Sequence, residues 1–107
     1  MTADEFVSLA LSLPGVVESA HFGNRDFRAG GKIFATLPSG TTANLRFTLD
    51  QQLMMLEIHA ALFAALPNAW GLRGWTSLQL PLAERDTVLA ALTTARENVL
   101  GKKAKKA

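Results

Sequence analysis

The 107-residue sequence contains no cysteine, which excludes a disulfide framework, a thiolate nucleophile and any cysteine-ligated zinc site. Charge is sparse. Asp, Glu, Lys and Arg make up 19% of the residues against 49% apolar ones, far from the composition of disordered chains, so most of the chain is expected to fold. Long apolar runs are missing as well: the longest, Ala60 to Leu66, falls far short of the roughly 20 residues of a membrane-spanning helix. The start, Met1-Thr2-Ala3-Asp4-Glu5, is acidic where an export signal would carry positive charge. A single domain in the cytoplasm, with no membrane partner, is the expectation from these absences. A chain of this length removes about 65% of its unfolded-state surface from water on folding, so no covalent staple is needed.

The isoelectric point near 9.4 suggests nucleic acid until the charge is divided along the chain. Residues 1–20 carry −3, residues 21–75 carry +2, residues 76–100 carry −1, and the four lysines after Gly101 add +4. The expected folded body, residues 1–100, is therefore net −2, and only the tail, residues 101–107, makes the protein basic. Such a tail is expected to be a solvated, mobile end, with an arm for phosphate contacts as the alternative.

What is present organises into an α+β pattern. Thr2 followed by Glu5 forms a capping-box signature, and Phe6, Leu9, Ala10 and Leu13 then fall on one helical face; Pro14-Gly15 stops that helix. Val16 to Phe22, Arg25 to Ala29, Lys32 to Leu37 and Ala43 to Phe47 are short runs separated by glycine-rich turns, a four-stranded meander. A Gly30-Gly31 hairpin sets Ala29 opposite Lys32 and, in a regular ladder, Phe27 opposite Phe34. A second helix starts near Thr48 or Asp50 and is allowed to extend into Ala60 to Leu66. Trp75 to Leu80 alternates like a fifth strand. A last helix puts Val88, Leu92, Ala95 and Val99 on one stripe, with Gly101 as its cap. The expected architecture is about five antiparallel strands with helices packed on one face, in the order α-β-β-β-β-α-β-α.

Catalytic signatures are absent at the level of spacing. Gly31-Lys32 lacks the first glycine of a phosphate-binding loop, Asp26 standing in its place, and is followed by Ile33 instead of Ser or Thr. No serine sits in a nucleophile elbow, and neither His21 nor His59 is tied by spacing to a nucleophile and an orienting carboxylate. His21, His59, Glu57 and Asp26 are too scattered to read as a metal site. The expectation is therefore no enzymatic turnover, no cofactor and no metal.

Two stretches offer a binding surface. Pro67 to Thr76 holds Trp70 and Trp75 with Arg73 isolated between glycines; it reads either as a core-closing turn or as a recognition loop. In the Gly30-Gly31 hairpin, Arg25, Phe27, Lys32 and Phe34 fall on one face, either as a cation–aromatic surface of the kind that holds single strands or as a buried aromatic pair flanked by solvated cations. Arg46 faces solvent by the alternation of its strand.

Taken together, Leu13-Pro14-Gly15 with Glu18, His21-Phe22-Gly23, Phe27-Arg28, Gly31-Lys32-Ile33-Phe34-Ala35 and Trp70-Gly71 with Gly74-Trp75-Thr76 resemble the MmcQ/YjbR family over roughly residues 5–100. The resemblance implies a fold like that of CyaY, the bacterial frataxin, and a double-wing type of DNA binding. It also raises iron handling, which frataxin-like folds perform through an acidic ridge; here the first helix offers only Asp4 and Glu5, too few hard ligands. The expected function is a small, non-enzymatic, DNA-binding protein with slight sequence preference, a monomer or weak dimer, whose contacts come from Arg25, Arg28, Lys32, Arg46 and Arg73. If those five neutralise about 3–5 phosphates, log affinity falls against log salt with a slope of about −3 to −4.5. The alternative is a protein-interaction module that uses the exposed sheet face and the Trp70 to Trp75 loop.

Overall fold

The structure is a computed structural model that describes residues 1–101; the lysines of the tail lie outside the described residues. The elements in chain order are α1 (Ala3–Ser12), β1 (Val16–His21), β2 (Asn24–Ala29), β3 (Lys32–Leu37), β4 (Thr42–Arg46), α2 (Leu49–Ile58), β5 (Phe63–Ala65), β6 (Trp75–Gln79) and α3 (Arg85–Leu100). The strands form one six-stranded sheet in the order β1-β2-β3-β4-β6-β5, antiparallel throughout. The fold is α+β.

Local chemistry accounts for the element starts. Thr2 Oγ1 accepts from the Glu5 amide while Glu5 accepts from the Thr2 amide, closing the capping box that begins α1. Thr48 and Gln51 repeat the device at the start of α2. The hairpins β1–β2 and β2–β3 turn through Phe22-Gly23 and Gly30-Gly31, and all four residues have positive φ, the backbone that matches strand twist in a two-residue turn.

Three expectations are corrected. Ala29 does face Lys32, but Phe27 stands opposite Ala35 and Arg28 opposite Ile33, because the register shifts between Phe27 and Arg28. Phe34 is the extra residue of that bulge, and the bulge lets Phe34 and its neighbour Ala35 both bury on the helix side, where Phe27 also lies. The second correction is the end of α2. It stops at Ile58 with His59 as its cap, and Phe63–Ala65 instead forms a short edge strand on β6, with Phe63 opposite Leu78. Phe63 thereby buries against Phe47, ring centroids 5.9 Å apart. The strand count is consequently six instead of five. The third is the end of the last strand, which stops at Gln79 because Leu80 enters a 3-10 turn with Pro81.

All three helices lie on one face of the sheet. α1 and α3 pack on Phe6, Leu9, Val88, Leu92, Ala95 and Val99 against Phe27, Phe34, Leu45 and Leu78. α2 contributes a single fully buried residue, Gln52. Its Nε2 lies 3.1 Å from the Gly71 and Trp75 carbonyls and from Thr76 Oγ1. Thr76 faces the core beside its cross-strand partner Leu45, so this contact places α2 with the other helices. Gly74 sets the entry to β6: at φ +103° its added Cβ would meet the Phe47 carbonyl oxygen at 1.9 Å, so no larger residue fits that crossing. The opposite face of the sheet carries no helix among the described residues.

Candidate nucleic-acid interface

Strand alternation sends a polar set to the uncovered face. Ser19, Asp26, Thr36, Asn44 and Ser77 stand side by side across five strands. The next row along brings Arg28, Ile33, Arg46 and Trp75 to the same face, with Arg46 directly opposite Trp75. These rows and the turn at Trp70 bound a cleft of about 680 Å³ lined by His21, Arg28, Lys32, Thr36, Asn44, Arg46, Trp70 and Trp75 among others. At one end the cleft meets the last turn of α3, where Asn98 donates from Nδ2 to the Arg46 carbonyl at 2.9 Å and to Gln51 Oε1 at 2.7 Å. That contact fixes the end of β4 that carries the Arg46 side chain.

The five expected cations divide. Arg28 and Arg46 line the cleft from the uncovered face, and Lys32, which as the partner of buried Ala29 stands on the helix side of the sheet, joins the lining at the hairpin end beside α3. Arg25 does not: it lies on the helix side of the sheet, level with Leu37, in an ion pair with Glu18 that raises its own pKa further. Of the two readings of Arg25, Phe27, Lys32 and Phe34, the buried aromatic one holds, since both rings are core. Arg73 sits beside the cleft, its guanidinium 5.5 Å from the Trp70 ring centroid, a cation–π contact that braces the loop.

Asp26 is the feature that spacing did not reveal. Its side chain has no exposure although it belongs to the uncovered face. Arg28 Nε donates to Oδ1 at 2.8 Å and Nη2 to Oδ2 at 3.1 Å, while His21 Nδ1 lies 2.7 Å from Oδ2. The Arg28 hydrogen bond holds the carboxyl below its ordinary pKa, burial opposes, and His21 adds to the lowering; reciprocally, Asp26 raises the Arg28 guanidinium. The signal was available in the turn. A two-residue Phe22-Gly23 turn pairs His21 with Asn24 and Ser19 with Asp26, making His21 and Asp26 diagonal neighbours on one face. Arg28 therefore spends its charge on Asp26. Lys32 and Arg46 form no ion pair among the described residues.

Two polar atoms of the lining are left without partners among the described residues: Asn44 Oδ1 and Trp75 Nε1, both inaccessible to solvent. No group of three or more His, Cys, Asp or Glu side chains among the described residues is arranged to hold a metal ion. Likewise, no described helix is long and apolar enough to cross a membrane.

The sequence model of the YjbR family matches residues 11–98. Among solved structures, the chain is similar to protein DR2400 of Deinococcus radiodurans, described as carrying domain DUF419. The TM-score is 0.76 at 16% identity, covering 96% of this chain and 80% of that one. That likeness shows a shared fold. No curated protein gives a significant match.

Proposed function

We propose that this chain, which belongs to the YjbR family, is a non-enzymatic, cytoplasmic binding protein that holds DNA weakly, as a strand laid along the uncovered face of its sheet. The observation that supports this reading is the gathering of Arg28, Lys32 and Arg46 with Trp70 and Trp75 in one cleft. Cations beside aromatic rings hold single strands by phosphate contact and base stacking, with little regard for sequence. Slight sequence preference also follows from the placement of the helices, all on the far face, where none can enter a groove as a recognition helix. We read the His21–Asp26–Arg28 cluster as a charge lock that shapes the cleft, since no cysteine exists and no metal-ligand cluster accompanies it among the described residues.

Two proteins test the reading: residues 1–100, and the full chain carrying K32A and R46A. Arg28 is left in place because its loss would strand Asp26. Residues 1–100 are expected to retain measurable binding to a single-stranded oligonucleotide at low salt, and the double variant is expected to lose at least about tenfold. If truncation alone abolishes binding, the domain is no DNA reader.

A specific observation favours a protein-interaction module as the second reading. The outward side of α2 carries Leu49, Leu53, Met54 and Ile58, all exposed, and Leu72 is exposed on the neighbouring turn. Contiguous apolar side chains of this kind mark interfaces. Replacing Leu53 and Ile58 with glutamate would abolish any self-association seen by sedimentation while leaving oligonucleotide binding intact; association unchanged by both substitutions would remove this reading.

A further inference from the structure

Phe22 is held in a strained backbone without burying its ring. It is 99% exposed, and among the described residues it is the one non-glycine residue with positive φ, at +50°. A two-residue hairpin turn asks for asparagine, aspartate or glycine at that position, because a bulky side chain there is strained. An outlier of this kind, with no core contact to offset it, is a sign of function.

The ring is also held in place. Phe22 stands edge-to-face with the His21 ring, centroids 6.0 Å apart. His21 Nδ1 in turn lies 2.7 Å from Oδ2 of the fully buried Asp26, and Arg28 grips the same carboxylate through Nε and Nη2. A chain of contacts thus runs from a carboxylate with no exposure to a ring in open solvent. Binding side chains are fixed in this way, by neighbours that are themselves locked.

The position of the turn selects the partner. His21 and Asn24, which flank Phe22-Gly23, both line the cleft, so a strand leaving the cleft past them meets Phe22. Arg28 and Arg46 lie at the other end of their strands, roughly 15 Å from the turn at about 3.3 Å per residue. The row between carries Ser19, Asp26, Thr36 and Asn44, with no ring among them. A base at the turn therefore has Phe22 to pack on, and an exposed ring offers it a whole face.

We infer that Phe22 is a base-stacking residue, positioned by His21 on the Asp26–Arg28 pair, that takes up a base of a single strand where the strand leaves the cleft at the β1–β2 turn. This role rests on the cleft holding a strand, and it adds a second end to the site and a minimum length to the ligand. At 3.4 Å per stacked nucleotide, about 5 nucleotides reach from Arg28 and Arg46 to Phe22.

The test is a calorimetric titration of the full chain at low salt with oligothymidylates of about 3 and about 12 nucleotides. Phe22→Ala is expected to weaken binding of the longer one at least about fivefold and of the shorter one by less than about twofold. Phe22→Trp, which keeps a ring, is expected to bind the longer one within about twofold of the unaltered protein, and Phe22→Leu, apolar without a ring, to fall with the alanine variant. His21→Ala should weaken the longer one about threefold and add less than about twofold to Phe22→Ala, because it acts through that ring. If the longer oligonucleotide binds the Phe22→Ala protein as tightly as the unaltered one, the inference fails and the DNA reading stands; if neither length binds the unaltered protein, both fail. An equal loss for the two lengths overturns the second end of the site, and a full further loss from His21→Ala in the Phe22→Ala protein overturns the positioning role. Self-association lost in Phe22→Ala with oligonucleotide binding unchanged would assign the ring to a protein partner instead. Phe22 makes no core contact, so its variants keep the fold, which urea denaturation checks.

Discussion

At the scale of single residues, Asp26 and Phe22 show stability and function pulling in different directions. Asp26 is a carboxylate fully buried on an otherwise uncovered face, and Arg28 and His21 hold its pKa below the ordinary value of 3.8. A group whose pKa is lowered on folding contributes stability above its unfolded value, and that contribution is lost as pH falls through the folded one. Asp26→Asn is therefore expected to lower stability at pH 7 by roughly 1–2 kcal/mol, the lower part of the range for a broken charged hydrogen bond because Arg28 reaches water. Its deficit should shrink below pH 3.8. Urea denaturation at both pH values checks this, and a deficit that does not change with pH would refute the assignment. Phe22 presents the opposite case. It is almost fully exposed with φ +50°, a conformation that costs a bulky side chain and suits asparagine. Phe22→Asn is expected to raise stability by about 0.5–1 kcal/mol and, since Phe22 adjoins His21 at the cleft, to weaken oligonucleotide binding. A gain in stability with no loss of binding would show that the strained ring serves nothing at this site.

At the scale of elements, α3 and the crossing before β6 carry the fold. Val88, Ala91, Leu92, Ala95 and Val99 bury along one stripe of α3, and Leu92 has no exposure. Leu92→Ala should cost about 2–5 kcal/mol, measured by denaturant titration; a loss below about 0.5 kcal/mol would mean the helix faces elsewhere. At Gly74, alanine must both adopt positive φ and displace a backbone oxygen 1.9 Å from its Cβ. Gly74→Ala is expected to cost at least about 2 kcal/mol and to displace Trp75 from the cleft, visible as a changed tryptophan emission. α2 behaves unlike the other two helices. Helical spacing alone leads one to expect Leu53 and Leu56 as its anchor, whereas Leu53 is exposed and the buried residue is Gln52. Gln52 gives the Gly71 and Trp75 carbonyls, which already accept from the Gly74 and Leu66 amides, a second hydrogen bond that a leucine could not supply.

At the scale of the whole molecule, charge sets the strength of any DNA contact. The body carries −2, and of the five expected cations only Lys32 and Arg46 line the cleft with no ion pair among the described residues. The salt dependence is accordingly revised downward. For residues 1–100 a single-strand slope of about −1.5 to −2 is expected, from about two to three phosphates, and the four tail lysines should steepen it in the full chain. A slope near −3.5 for residues 1–100 would show that Arg25 and Arg73 act after all.

The sequence by itself determined the order of every element but the edge strand β5, the starts of α1 and α2, the meander and the core stripes of α1 and α3, of which Leu9, Leu92 and Val99 are all buried. These features are local or periodic: capping boxes, turn glycines and alternation act within a few residues. The family was legible as well, through motifs spread along the domain. Tertiary structure alone decided the Phe34 bulge, the edge strand at Phe63–Ala65 and the full burial of Asp26. Each depends on which strands become neighbours and in what register, and a shift of one residue exchanges the two faces of a strand. The cleft is the product of such choices, since its lining comes from residues as distant in sequence as His21 and Trp75.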